Sequence, residues 1–474
     1  MADTAHGPPG SAQHIVHLVS SGAATSRADL VRELGLAPST VSSRVQELVA
    51  AGVLTESGEG ASRGGRRPRL LRVRAQGGVA LAADLGSHHA RLGAVDLGGG
   101  VLDPVDLPHD ITAGPEPVVD WLCDRVAELT ARERDAGRAV RALGVAFPGP
   151  VAPAGGRVLS PSRMPGWHRY PLREVLAERL GLPVTVENDA TMMAVGEHRA
   201  ARPELDHLVV VKAGRGIGSG VIAAGRPHDG ANGAAGDISH VRIEAAGERP
   251  CSCGNIGCLE TVASGAALIR ELAGQGVEVG STSALLRLVA DGDPRATTLV
   301  RTAGRHIGTV LSVVVNFFNP QAVALGGVLA TAEPLVAAVR GVLYERCLPL
   351  ATADLEITTT VTGPDAGLIG AGLTALRRHL PTTAPPPEPG ATAPTGPGAT
   401  VPTGPGATVP TDPGGSGRRQ SLPSGRQSPP SGTQSPPPSQ PTPPSRPDGA
   451  ADEQPAARRD RRQPTPRQEE SAST

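Results

Sequence analysis

Residues 182–200, LPVTVENDATMMAVGEHRA, enter as a strand and leave as a helix, with Glu187, Asn188 and Asp189 at the junction. A strand that delivers polar residues to the start of a helix is the repeating unit of an α/β sheet with a cleft at its strand ends. The chain on either side repeats this texture. From residue 79, VALAADLGSHHARLGAVDLGGGVL reads as a β-hairpin that turns at Asp84-Leu85-Gly86. Val119–Thr130 reads as a helix, RALGVAFPGP as a buried strand and PLREVLAERLG as another helix. LVVVKAGRGIGSGVIAAG is a second strand, glycine turn and strand. VVVNFFNPQAVALGGVL runs helix, Asn319-Pro320 turn, strand and Gly326-Gly327. The pattern predicts an α/β body with a central cleft over residues 76–380.

Two readings attach to each turn. Glycines let backbone N–H groups approach an anion, which makes Gly86, Gly214, Gly216, Gly218, Gly326 and Gly327 candidate nucleotide contacts, with Asp84 placed to hold a magnesium-bound phosphate. The plainer reading is a tight hairpin. Asp189 is placed to take a proton from a substrate hydroxyl, or to cap its helix.

Three of the five cysteines fall within the decapeptide CSCGNIGCLE, residues 251–260, while Cys123 and Cys347 stand alone. Cys251, Cys253 and Cys258, with His240 upstream, offer three thiolates and one imidazole, the closed tetrahedral set of a structural zinc. Gly254 and Gly257 relieve the crowding of a chain wrapped around one ion. Free thiols or a redox pair are the rival reading. Asp237 lies just before His240, and Glu260 just after Cys258. Pinning this loop would fix Asp237, His240 and Glu260, with Asn188 and Asp189, around one pocket suited to vicinal hydroxyls. The thiols then do no chemistry and shape a sugar site.

The first 75 residues are a separate module. SAQHIVHLVSSG reads as a short helix, SRADLVRELG as a helix capped by Ser26 and stopped by Gly35, and APSTVSSRVQELVAAG as a helix begun by Pro38. That succession is a helix-turn-helix over residues 12–75, after a flexible start at 1–11. Val41, Val45 and Leu48 face inward, leaving Ser39, Thr40, Ser42, Ser43 and Arg44 exposed for base edges and phosphates. Arg63, Arg66, Arg67, Arg69, Arg72 and Arg74 then fall in a stretch with no acid. A basic hairpin beside such a helix predicts a winged helix that binds DNA.

Composition limits the rest. The net charge of −1 offers no global field, so DNA contact rests on that local patch. No apolar run suits a membrane span, and the N-terminus lacks a secretory pattern, which predicts a cytoplasmic protein with reduced thiols. After Leu380 the only large aliphatic besides valine is Leu422, and TGPGATVP occurs at Thr395–Pro402 and again at Thr403–Pro410. Such a segment cannot offset its ordering entropy, so 381–474 is read as a disordered tail.

PGWHRYPLREVLAERLGLPVTVENDA, GANGAAGDISH, CSCGNIGCLE and NPQAVALGG together resemble the ROK family (repressor, open reading frame, kinase), specifically its transcriptional regulators, over residues 12–375. The resemblance implies a winged helix fused to a two-lobed actin/hexokinase-like ATPase body, assembled as a homodimer or homotetramer and responsive to a sugar or sugar phosphate. It implies sugar contacts from Asn188, Asp189, His240 and Glu260, and zinc on His240, Cys251, Cys253 and Cys258. In family kinases the counterpart of Asp189 is the general base. Three motifs depart from the family pattern. Glu-x-Gly-His is here Asp237-Ile-Ser-His240, Asp-x-Gly-Gly-Thr is Asp84-Leu-Gly-Ser-His, and Gly-Thr-Gly-x-Gly is Gly214-Arg-Gly-Ile-Gly218. Phosphoryl transfer depends on positioning around Mg²⁺ and phosphate, so these changes favour a regulator over the alternative, an Mg-ATP-dependent sugar kinase with a DNA-binding appendage. A repressor that needs no ligand is a third reading.

Overall fold

The computed structural model describes residues 10–20, 22–59, 69–74, 77–153, 155–159 and 164–380. Arg63, Arg66 and Arg67, most of the N-terminal segment and the tail lie outside these residues.

Helix α1 (Ala12–Ser20) buries Ile15, Val16 and Val19. Before α2 (Arg27–Leu34), the Ser26 hydroxyl accepts from the Asp29 amide at 3.2 Å and donates to the Asp29 carboxylate at 2.8 Å. The cap satisfies the Asp29 N–H, which a helix start otherwise leaves unpaired, and the Thr25 amide donates to the Asp29 carboxylate at 3.2 Å. Partial burial opposes it, yet hydrogen bonds from Ser26, Arg32 and Thr25 draw the Asp29 carboxyl down to about 2. Gly35 closes α2 at φ 64°, a left-handed conformation that costs glycine little. Helix α3 (Pro38–Ala50) starts on Pro38 and turns Val41, Val45 and Leu48 inward. Strands β1 (Leu54–Glu59) and β2 (Arg69–Val73) pair antiparallel as the wing.

The body contains two sheets of the same plan. In the first, β3 (Val79–Leu85), β4 (His89–Asp96) and β5 (Val101–Pro108) form an antiparallel meander. Helix α4 (Pro115–Asp135), strand β6 (Val140–Phe147), helix α5 (Leu172–Leu180) and strand β7 (Val184–Asn188) extend it in parallel beyond β3. The predicted Val119–Thr130 helix is longer at both ends: Pro115 takes its first turn, and beyond Thr130 it runs on to bury Glu133, which pairs with Arg138. Helix α6 (Asp189–Ala201) leads to the second meander, β8 (Leu208–Ala213), β9 (Ile217–Ala223) and the short β10 (Arg226–Pro227). Helices α7 (Glu260–Ala263), α8 (Gly265–Gly274), α9 (Thr282–Ala290) and α10 (Pro294–Phe318) precede β11 (Ala322–Gly326). Helices α11 (Glu333–Arg346) and α12 (Pro349–Thr352) precede β12 (Glu356–Thr359), and β11 and β12 again add in parallel. Helix α13 (Ala366–Arg378) packs back on β3, β6 and α6.

The strand orders are β5-β4-β3-β6-β7 and β10-β9-β8-β11-β12, which makes β3 and β8 corresponding central strands. The core of the winged helix is continuous with the body, since Ile15, Leu30 and Val41 share one apolar cluster with Ala80, Ala142 and Leu376. No described helix is long and apolar enough to cross a membrane.

Candidate functional site

The junction that opened the sequence reading is where the cleft is built. Asn188 caps α6: its Oδ1 accepts from the amides of Ala190 at 3.0 Å and Thr191 at 3.1 Å, and Asp189 Oδ1 shares the Ala190 amide at 2.8 Å. The Asn188 Nδ2 donates to the Gly149 carbonyl at 3.1 Å. Lys212 Nζ donates to the other carboxylate oxygen of Asp189, Oδ2, at 2.8 Å. The same ammonium reaches Asp84 Oδ1 at 3.5 Å. Burial pushes the Asp84 carboxyl up, an effect Lys212 opposes.

The other predicted residues are strung around the β8–β9 hairpin. Glu260 is buried and its Oε2 accepts from the Ile217 amide at 2.9 Å, so a carboxylate already satisfies an N–H of the second glycine turn. The Glu260 amide donates to the Ser239 carbonyl at 2.9 Å, and the Ser239 hydroxyl donates to Asp237 Oδ1 at 2.6 Å. Ser219 on β9 donates to the Gly236 carbonyl, which brings the Asp237–His240 segment to the hairpin. A Cβ on Gly218 would lie 2.9 Å from the Ala190 Cβ, so the start of α6 rests on the same strand. Asp189, Asp237, His240 and Glu260 are thereby laced to one hairpin.

His240, Cys251, Cys253 and Cys258 place their ligand atoms within 4.8 Å of one another. His240 Nδ1 lies 3.5 Å from Cys251 Sγ, and the Cys253 and Cys258 sulfurs are 3.8 Å apart. Bond lengths of about 2.3 Å to sulfur and about 2.0–2.1 Å to nitrogen imply tetrahedron edges of about 3.6–3.8 Å, which these two separations match. All five cysteines are free, which sets aside a disulfide in the loop. Gly254 and Gly257 take φ of 93° and 74°, the turns the loop needs to bring its sulfurs together. Burial, followed by the neighbouring Cys253 and Cys251 sulfurs, pushes the Cys258 thiol up to about 12.

The candidate nucleotide glycines have packing reasons within the protein. Gly86 closes its turn by donating to the His89 carbonyl at 2.8 Å, and Gly214 donates to the Gly216 carbonyl at 2.9 Å. A Cβ on Gly216 would meet Glu260 Oε1 at 3.3 Å, one on Gly326 Met193 Sδ at 2.8 Å and one on Gly327 the Ala213 carbonyl at 2.5 Å.

A family model described as "ROK family" matches residues 80–378, and one described as "Winged helix-turn-helix DNA-binding" matches residues 13–55. The chain belongs to the ROK family. It is 28% identical over 356 residues to the DNA-binding transcriptional dual regulator NagC of Escherichia coli K12, covering 72% of this chain and 86% of that protein. It is 30% identical over 348 residues to the xylose repressor of Bacillus subtilis 168, covering 73% and 89%. A solved ROK family transcriptional regulator, described as a homologue of the E. coli MLC protein, superposes with a TM-score of 0.65 at 28% identity, covering 77% of this chain and 97% of that one.

In this ROK protein α3 presents Ser39, Thr40, Ser43 and Arg44 to solvent. Ser42 is a correction: it is half-buried because the Arg27 guanidinium packs over it and donates to its carbonyl at 2.9 Å. No side chain caps α3, so its first-turn amides keep their donors. Arg69 is held by Glu56 from the paired strand at 3.1 Å, while Arg72 and Arg74 are exposed. Sequence reasoning missed Lys212. The signal was there, a lone charge inside the apolar run LVVVKA.

Proposed function

We propose that the protein is a transcriptional repressor that binds operator DNA through α3 and the wing, and that a sugar or sugar phosphate in the body alters that binding. The observation that carries this reading is the lacing of Asp189, Asp237, His240 and Glu260 around one hairpin, in one chain with a winged helix whose apolar core runs into the first sheet and α13. Carboxylates and an imidazole suit the hydroxyls of a carbohydrate. The xylose repressor among the relatives supports the same ligand class. Zinc on His240, Cys251, Cys253 and Cys258 would fasten His240 and the segment leading to Glu260, a scaffold role. Hydroxyls on α3, its uncapped amides and the basic wing supply the phosphate and base contacts that DNA needs.

Two positions of the lobes, each favouring a different placement of the winged helices, would couple the sites, and the ligand acts only through its differential affinity for them. We infer a homodimer or homotetramer. Exposed Val313 and Phe317 on α10, Tyr344 on α11 and Leu350 on α12 support an oligomer surface. The test is thermal-shift titration of the full chain with a panel of sugars and sugar phosphates, with and without Mg-ATP. A saturable rise in Tm with one sugar and none with Mg-ATP is expected. Sugar-dependent ADP release that Asp189→Asn abolishes would replace this reading with a kinase.

A further inference from the structure

Lys212 is the single lysine among the 45 lysines and arginines of the chain. It lies near the end of β8, where its five neighbours in the strand are all buried. Its Nζ is 2.8 Å from Asp189 Oδ2 and 3.5 Å from Asp84 Oδ1. Asp84 and Lys212 are the penultimate residues of β3 and β8, the corresponding central strands of the two sheets. Both carboxylates come from the first sheet or its exit, and the ammonium comes from the second. The first turn of α13 closes the far side, because a Cβ on Gly367 would overlap Asp84 Oδ2.

We propose that Lys212 is a resident cation, seated between Asp84 and Asp189 in the position a divalent metal would take, and that it joins the two sheets there. The donor set argues against magnesium as things stand. Mg²⁺ asks for about six oxygens at about 2.0–2.1 Å, whereas these separations are those of N–H···O bonds to an ammonium. A compact point charge with three rotatable donors can serve two carboxylates from one strand, which the planar fork of arginine does less readily. Elsewhere the chain uses arginine throughout. Burial alone would lower the Lys212 pKa, but Asp189 and then Asp84 outweigh it and keep the amine charged. Asp189 Oδ2 therefore accepts from an ammonium and does not stand as a free base. The inference is independent of the sugar reading, since its tests contain no sugar.

The first test is Mn²⁺ titration of the zinc-loaded full chain, followed by Tm. The wild type is expected to show no shift that depends on Asp84. Lys212→Met leaves two buried carboxylates facing each other, and should gain a saturable rise of about 2–4 °C with Mn²⁺. The double variant Lys212→Met/Asp84→Asn should lose that gain. A wild-type Mn²⁺ site abolished by Asp84→Asn would overturn the proposal, as would a folded Lys212→Met with no response. The second test needs no variant. Reductive methylation of the native wild type with ¹³C-formaldehyde should spare Lys212, the sole side-chain amine, until the protein is denatured. Labelling of Lys212 in the native state at the rate of an exposed lysine would refute it.

Discussion

Arg141, at the start of β6, fastens the winged helix to the body. Its Nε and Nη2 donate to the Gly77 carbonyl at 2.7 and 2.5 Å, and Nη2 also reaches the Ala51 carbonyl at 3.1 Å. Ala51 caps the end of α3, and Gly77 lies between the wing and β3. The side chain also packs on Gly78, where any Cβ would collide with it. Arg141→Met removes charge-assisted bonds to two carbonyls, each worth about 1.5–3 kcal/mol. Because the site is only half-buried, water can recover part of that loss, and a net destabilisation of about 2–3 kcal/mol in urea unfolding is expected. The functional consequence is the more telling one. Ligand coupling between sites is typically about 1–3 kcal/mol, roughly a 5–150-fold change in affinity, so severing the seam should remove most of the sugar-induced change in DNA affinity. The assay is fluorescence anisotropy on DNA selected from a random pool by the wild type, with and without the active sugar. Sugar affinity of the body should hardly change. A variant that loses stability but keeps the full sugar response would refute Arg141 as part of the transmission.

Other expectations follow from individual contacts. Cys253→Ser should abolish bound zinc by metal analysis and weaken the sugar response with it, while DNA binding persists; sugar binding retained without zinc would contradict the scaffold role. Ser26→Ala removes the cap shared with Asp29 and should cost about 1 kcal/mol in urea unfolding, with shrinkage of the plateau that Asp29 contributes above the ordinary aspartate range and that fades as pH falls toward about 2, since the Arg32 and Thr25 bonds remain. His198 is buried, with burial first and Arg199 second holding it down at about 4, so the folded state takes its proton later than the unfolded chain. Stability should be constant above about pH 6.5 and fall between there and pH 4 by an amount on the order of 2–3 kcal/mol, a loss that His198→Gln should flatten.

Local chemistry was readable in the sequence wherever a residue acts on its own neighbours. Ser26, Gly35 and Pro38 set the helix boundaries of the DNA-binding module through bonds a few residues long. The cysteine loop was readable for the same reason, since three of the four clustered candidate ligands fall within eight residues. What escaped depends on contacts between distant parts of the chain. Lys212 looks like a stray charge in a strand until β3 and α6 bring Asp84 and Asp189 to it. Glu260 was read as a ligand group, yet it also anchors the Ile217 amide across the fold. Asp189 was read as a base or a cap, whereas Asn188 caps the helix and the Asp189 carboxylate also meets Lys212 from a distant strand. The identical plan of the two sheets was hidden because strand order is a property of pairing, not of pattern.

The measurement that bears most directly on the central claim is the affinity of the purified full chain for its selected DNA at fixed salt, with and without the sugar that raises its Tm. A shift of at least about fivefold in dissociation constant is predicted, the lower end of ordinary allosteric coupling. The same affinity in both conditions, with the sugar demonstrably bound, would contradict the account.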